Sequence, residues 1–155
     1  MKKKFHWLVL WLLGSFLVGG CTPSPAPIRY GQDNCAHCQM LVMDAHFGTE
    51  LVTDKGKIYV FDSIECLAWH STASRMPPGQ VHSRWVTPVD APGTLVDAAG
   101  AFYLASDNLR SPMGMNLSAF RDESTARSFQ QNYGGEVLRW DGVTALVGRR
   151  WGQSQ

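Results

Sequence analysis

The sequence predicts an α+β fold with two successive halves, each contributing strands and one packing helix. Two β-favouring runs, 51–53 and 58–61, flank a short polar segment containing Gly56, which is typical of a hairpin turn. A helix is expected over 62–72, because Asp62 is a good N-cap residue and an acidic residue follows three positions later. This order of strand, strand and helix is the basis of the α+β assignment.

The second half is expected to contain another helix, over 122–133. Two acidic residues open this segment, and Gly134 follows it in the usual C-cap position. The runs 136–140 and 143–147 are β-favouring and are predicted as closing strands around an Asp-Gly turn.

A weak internal repeat supports the division into halves. Placing 51–59 under 95–103 without gaps matches four residues of the first hairpin, but the helices then lose their common spacing. Aligning Phe61 with Phe120 matches the helices and loses the hairpins. Both alignments remain open at this point.

The N-terminus predicts export and lipidation. Residues 1–20 combine a basic start, a short apolar run and small residues, which is typical of a secretory signal and too short for a comfortable membrane span. The small residues lead directly into Cys21, as in a bacterial lipobox, so Cys21 is expected to be the acylated first residue of the mature chain. Because Thr22 follows where inner-membrane retention signals carry aspartate, resemblance to lipoprotein sorting rules favours the outer membrane.

These observations divide the chain into five parts. They are a lipoprotein signal peptide (1–20), a lipidated cysteine with a Pro-rich tether (21–32), a first half (33–92), a second half (93–148) and a frayed tail (149–155). Alternating proline in the tether favours an extended polyproline II spacer between the membrane and the globular part.

Composition excludes several functional classes. Removing the basic start leaves a small net negative charge, whereas nucleic-acid binders concentrate positive charge on one face. The chain contains no phosphate loop, paired carboxylates or Ser/His/Asp array that would indicate an enzyme. A binding function is therefore expected.

Residues 34–43 concentrate metal ligands. They include two cysteines, one histidine and two methionines, namely Cys35, His37, Cys38, Met40 and Met43. Thiolate and thioether are soft ligands, and this mixture favours Cu(I). The Cys-x-x-Cys spacing alone also suits a thioredoxin-like redox pair or a plain disulfide, and these alternatives stay open.

Further candidate ligands lie downstream. Met113 and Met115 occupy a Pro/Gly-flanked loop, where a thioether has less core to fill, although packing also explains Met115 well. Cys66 and His70 are four residues apart on the first predicted helix and form a possible metal pair, although such a cysteine is more often a small buried apolar residue.

The motifs together resemble the NosL family, the accessory lipoproteins of nitrous oxide reductase. The resemblance rests on the lipobox, Cys-x-x-Cys-x-Met, Phe-Asp-Ser-Ile-Glu-Cys-Leu, Ser-Pro-Met-Gly and a helix ending in Gly-Gly, in that order. It implies two similar ββαβ-type halves packed together. It also implies a periplasm-facing Cu(I) chaperone that works with nitrous oxide reductase and its other assembly proteins, supplying copper for the catalytic copper–sulfide centre.

Carried onto this chain, the resemblance implies a site made of Cys38, Met40 and Met113. Secondary candidates are Cys35, His37, Met43, Met115 and His46. The alternative function is a thiol–disulfide redox lipoprotein that uses Cys35 and Cys38. A redox protein needs both thiols and tolerates loss of the methionines, whereas a copper donor depends on Cys38 and the methionines.

Overall fold

The structure is a computed structural model that describes residues 22–72, 76 and 80–153. The expected signal peptide and Cys21 lie outside the described residues. Among the residues that are described, no helix combines the length and apolar character needed to cross a bilayer.

The described part of the chain forms seven strands and three helices. In chain order they are β1 (Thr49–Thr53), β2 (Ile58–Phe61), α1 (Ile64–Thr72), β3 (Val81–Val86), β4 (Val96–Asp97), β5 (Phe102–Ala105), β6 (Leu117–Phe120), α2 (Glu123–Tyr133), β7 (Glu136–Leu138) and α3 (Trp140–Gly152).

The strands form two antiparallel sheets, of four and three strands, and the three equivalent strands follow the same order in both. The first sheet runs β2-β1-β3-β4 and the second runs β6-β5-β7. In each half a hairpin is followed by a helix and then by a strand that returns beside the first strand of the hairpin. This arrangement confirms the α+β class and the two similar ββαβ halves.

The strand register decides between the two repeat alignments. Phe61 pairs with the first residue of β1, and Phe120 pairs with the first residue of β5, so these phenylalanines are counterparts. The gap-free alignment of 51–59 with 95–103 is wrong, because β4 pairs with β3 and not with β5. The second hairpin is not evident from the sequence because its two strands are connected by 11 residues, 106–116, whereas the strands of the first hairpin are connected by four. Since β4 joins the first sheet, that sheet extends past residue 92.

Helix α1 is capped one residue later than expected. The Ser63 hydroxyl accepts a hydrogen bond from the Cys66 N–H at 3.3 Å, so Ser63 and not Asp62 acts as the N-cap. Asp122 caps α2 in the same way, accepting from the Thr125 N–H at 2.8 Å. Each cap lies two residues after its phenylalanine counterpart, which supports the alignment of the halves.

The C-terminal segment is helical, so the strand predicted over 143–147 is wrong. Val143 and Val147 are buried while Ala145 is exposed, which is the spacing of a helix face and not of a strand. Asp141 in the first turn and Arg149 in the last turn also suit the helix dipole. Residues 149–152, predicted as part of a frayed tail, therefore belong to α3.

Much of the predicted tether lies on the domain. The Ala26 N–H donates to the Glu50 carboxylate at 3.1 Å, and Ile28 and Tyr30 pack against the core. The fit is close, because a side-chain carbon at Gly48 would lie 2.7 Å from the Tyr30 hydroxyl. Within the described residues, only 22–25 remain as a spacer.

The main core lies around α1, which is covered by the first sheet and by α3. Its centre includes Leu51, Phe61, Leu67 and Val147, each fully buried. Burying a side chain of this size contributes about 2 kcal/mol. This packing holds the first turn of α1 in place beneath the segment 34–42.

Candidate metal centre

Residues 34–41 form a tight knuckle that brings two thiols together. Asn34 pairs with Leu41, the Cys35 N–H donates to the Met40 carbonyl at 2.8 Å, and the Gln39 N–H donates to the Cys35 carbonyl at 3.0 Å. Gln39 closes the turn with a φ of 64°, in the left-handed region. The Cys38 N–H points at the Cys35 sulfur, 3.5 Å away.

The start of α1 adds two further candidate ligands. The Ala36 N–H donates to the Val60 carbonyl at 2.8 Å, which fastens the knuckle to the end of β2. Asp62 follows β2 directly, and Cys66 lies one helical turn later on the same side. One ligand atom from each of the four side chains, Cys35, Cys38, Asp62 and Cys66, lies within 4.8 Å of all the others. We call these four residues the thiol cluster.

Exposure differs within the thiol cluster. Cys35 and Cys66 are fully buried and Asp62 is nearly so, whereas Cys38 is half-buried. Cys38 is therefore the sulfur that a copper carrier or another thiol reaches first. No other group of three or more His, Cys, Asp and Glu residues converges in this way in the described part of the chain.

The thiol cluster favours a single negative sulfur. The Cys66 thiol donates a hydrogen bond to Cys35, and with the Cys38 N–H this lowers the pKa of Cys35 to about 6. The same hydrogen bond, with burial, raises the pKa of Cys66. Burial raises the pKa of Cys38 to about 11. The most acidic thiol is thus Cys35, although the sequence favours Cys38 over Cys35 as a metal ligand.

The methionines lie at different depths. Met40 is 49% exposed and Met43 is 66% exposed, both on the outside of the knuckle. Met115 is only 6% exposed and belongs to the core, as its packing interpretation suggested. Met113 is half-buried and packs against the same core cluster as Cys38.

The loop that carries Met113 is fastened to α1. The Ser111 hydroxyl donates to the buried carboxyl group of Glu65 and accepts from the Asn116 N–H at 2.9 Å. A turn closes over Met113, since the Gly114 N–H donates to the Ser111 carbonyl at 3.1 Å. Glu65 precedes Cys66, so the anchor of this loop adjoins the thiol cluster.

The candidate histidines lie outside the thiol cluster. His37 stacks on the Trp151 ring of α3 at 5.4 Å, and His46 is exposed and pairs with Asp44 at 2.8 Å. His70 is buried against the Tyr59 and Phe61 rings, with ring centroids 5.6 and 5.1 Å away. The proposed pair of Cys66 and His70 is therefore divided, with only Cys66 in the thiol cluster.

Sequence reasoning did not place Asp62 and Cys66 beside Cys35 and Cys38. The sequence pattern predicts a capping role for Asp62, and it favours Cys66 as a small core residue over a ligand. Their spacing of four residues was the available signal, because it places both side chains on one side of a helix start. Three sulfur ligands and one carboxylate suit a soft, thiophilic metal ion.

Comparisons with known proteins agree with this chemistry. A family model described as NosL matches residues 27–147. The copper-binding lipoprotein NosL of Stutzerimonas stutzeri is 28% identical over 122 residues, which are 74% of this chain and 63% of that relative. The chain thus matches less than two thirds of the length of this curated relative.

A solved structure has the same fold. The crystal structure of the copper chaperone NosL from Shewanella denitrificans superposes with a TM-score of 0.64 at 23% sequence identity, covering 77% of this chain and 95% of that one. Since the family model covers most of the chain, including both motif-bearing loops, the assignment does not depend on this distant structure. The chain belongs to the NosL family.

Proposed function

We propose that this protein binds Cu(I) as cargo through Cys38, Met40 and Met113 and delivers it for assembly of the copper–sulfide centre of nitrous oxide reductase. The observation that carries the proposal is the half-buried Cys38 at the mouth of an otherwise buried thiol cluster, with an exposed thioether two residues away. The names of the two relatives, a copper-binding lipoprotein and a copper chaperone, support it.

The chemistry of transfer is ligand exchange, not catalysis. Soft sulfur ligands stabilise Cu(I), and a site with few ligands near the surface lets an incoming ligand bind before an old one leaves. Met40 lies on the exposed side of the knuckle, where it can leave the metal without disturbing the core. Because Cys38 is protonated at neutral pH, copper uptake at this residue releases a proton.

The anchor between Ser111 and Glu65 supports Met113 as the ligand from the second half. It ties the turn that carries Met113 to the helix that carries Cys66, and Cys66 shares the thiol cluster with Cys38. Cys35, His37, Met43 and Met115 remain secondary candidates. Of these, Cys35 belongs to the thiol cluster, and Met115 is the more deeply buried of the two methionines.

Copper titration with a Cu(I) chelator as competitor tests the site. With the reduced protein purified in detergent, Cys38→Ser is expected to weaken Cu(I) binding by at least about 100-fold, because it removes the thiolate of the site. Met40→Leu and Met113→Leu are expected to have smaller effects. Met76→Leu is the matched control, since Met76 packs at the other end of the core cluster and is expected to leave affinity unchanged. Unchanged affinity in both Cys38→Ser and Met113→Leu would remove the proposed site.

Delivery is tested separately. Copper-loaded protein is mixed with copper-free nitrous oxide reductase in the presence of a chelator that captures free Cu(I). The proposal expects copper to reach the reductase from the loaded protein and not from a matched amount of chelated copper. Equal transfer from both sources would leave a copper-binding protein without a delivery role.

The redox alternative predicts opposite results for the methionine variants, and it requires Cys35. The acidic thiol of Cys35 beside a more accessible Cys38 is the observation that favours it. A thiol–disulfide protein would lose its activity in Cys35→Ser and keep it in Met40→Leu and Met113→Leu. Reduction of an insulin disulfide by the wild-type protein, measured with these variants, separates the two functions.

We further propose that the protein is anchored through a lipid on Cys21, facing the periplasm from the outer membrane. The S. stutzeri relative is named a lipoprotein, which supports an anchor. Cys21→Ala is expected to move the protein from the membrane fraction to the soluble fraction, and density-gradient separation of the two membranes tests the location.

A further inference from the structure

We propose that Cys35 and Cys66 form a disulfide in the exported protein, so that Cys38 is the single free thiol of the thiol cluster. Both residues are fully buried and lie on segments that pack against each other, the knuckle and the first turn of α1. Their sulfurs lie within 4.8 Å of each other. Exported proteins form disulfides readily, and three thiols leave one unpaired.

The pairing of Cys35 with Cys66 is favoured over pairing with Cys38. A disulfide between Cys35 and Cys38 closes a loop of only a few residues, so it stabilises the folded protein little. A bond between Cys35 and Cys66 links the knuckle to α1 across about thirty residues, and a larger loop restricts the unfolded chain more. Its product also keeps the half-buried sulfur, Cys38, outside the bond.

The oxidation balances through thiol–disulfide exchange with an external protein disulfide. The accessible Cys38 thiol attacks the oxidant as it loses its proton, which passes to the oxidant's first thiolate as that thiolate leaves, and a mixed disulfide forms. Cys35 then attacks the Cys38 sulfur and releases the second, and Cys66 attacks the Cys35 sulfur and frees Cys38. Cys35 and Cys66 lose two electrons and two protons, and the external disulfide gains them as two thiols.

This disulfide would make the copper site few-coordinate. In the reduced protein, three thiols surround one point, whereas in the oxidised protein only Cys38 and the methionines remain available. This consequence rests on the proposed copper function, but the disulfide itself does not. Its test needs no copper, so failure of either proposal can be told from failure of the other.

The test is disulfide mapping of the full chain, purified in detergent from the periplasmic side without reductant. Free thiols are alkylated in denaturant, and the protein is digested and analysed by mass spectrometry. The expected result is alkylation at Cys38 and a cross-link between the peptides of Cys35 and Cys66. Alkylation of all three thiols, or a cross-link between Cys35 and Cys38 as the main product, would overturn the proposal.

Variants provide a second measurement. Reduction of the wild-type protein is expected to lower Tm by at least about 5 °C, because the cross-link closes a long loop. Cys38→Ser lacks the thiol that attacks the external protein disulfide, so it is oxidised after purification with an excess of oxidised glutathione. As the matched control it is then expected to show the cross-link and to keep the Tm difference. Cys66→Ser is expected to lose both. A Tm difference that persists in Cys66→Ser would contradict the assignment, and mapping of the wild type stands even if this variant does not fold.

Discussion

The two halves of the molecule share one topology but bury very different side chains. In the first half α1 is covered by its own sheet and by α3, and residues 64–68 are all buried. In the second half Ala126 is the buried residue of α2, whose remaining surface is half-buried or exposed. The difference shows that the third helix and the segment before β1 turn one of two similar units into the core of the protein.

The thiol cluster follows the same division. At the positions of Asp62 and Cys66 in the first half, the second half has Arg121 and Thr125. The second half instead expands its hairpin turn into the loop that carries Met113. The shared topology thus supplies equivalent backbone positions, but the thiol cluster forms in the first half and the loop that carries Met113 belongs to the second.

The largest expected effect concerns the two helices. Leu67→Ala in α1 is expected to lower the free energy of unfolding by about 3 kcal/mol, because it leaves a cavity between the first sheet and α3. Phe129→Ala in α2 removes a larger side chain that is only half-buried, and it is expected to cost about 1 to 2 kcal/mol. Urea denaturation measures both. Equal costs would contradict the unequal burial of the halves.

The next effect concerns equivalent positions on the central strands, Glu50 in β1 and Tyr103 in β5. Burial raises the pKa of Glu50 to about 7, so the folded protein holds a proton that the unfolded chain releases near its usual value. Stability is therefore greatest below the unfolded pKa and falls as pH rises through the folded one, by roughly 2 kcal/mol between about pH 5 and pH 8. Glu50→Gln is expected to remove this dependence.

Tyr103→Phe is the matched comparison for that pH series. It removes a hydrogen bond of 2.7 Å from the Tyr103 hydroxyl to the Ala98 carbonyl, at a cost of about 1 to 2 kcal/mol. Burial raises the pKa of Tyr103 well above its usual range, so this loss is expected to be the same across the series. Thermal unfolding at each pH measures both variants. If the stability of Glu50→Gln still falls as pH rises, a group other than Glu50 causes the pH dependence.

A smaller effect is expected at the contact between the halves. Ser111→Ala removes the hydroxyl that ties the loop of Met113 to Glu65, and it is expected to weaken Cu(I) binding by about tenfold, as for residues that orient a ligand. Glu65→Gln is the control, because its amide oxygen can still accept from Ser111. An unchanged affinity in Ser111→Ala would remove the argument that this anchor positions Met113.

The smallest effect is expected from copying one thiol into the second half. Thr125→Cys places a cysteine at the position equivalent to Cys66, but among residues 22–72, 76 and 80–153 no counterpart of the knuckle covers α2. A second Cu(I) ion is therefore not expected to bind, and the stoichiometry from titration should stay that of the wild type. A second tight ion would show that the helix start alone builds a site.

Local patterns were sufficient for much of the fold. The first hairpin, α1 and α2 were predicted close to their observed bounds, because alternation, capping residues and a terminal glycine act within a few residues of each other. The helix α3 was missed because its pattern is ambiguous over five residues. Its helical periodicity is evident only from the buried pair Val143 and Val147, which face α1.

The sequence by itself determined the Cys-x-x-Cys-x-Met and Ser-Pro-Met-Gly spacing of the candidate soft ligands, the family they resemble and a weak likeness of the two halves. These features are local, or are carried by the order of motifs. Only the tertiary structure decided that Cys66 and Asp62 join Cys35 and Cys38, and that Cys38 is the most accessible of the three thiols. The reason is physical. Convergence of segments about thirty residues apart, and the burial that sets their pKa values, depend on how β2, α1 and the knuckle pack together.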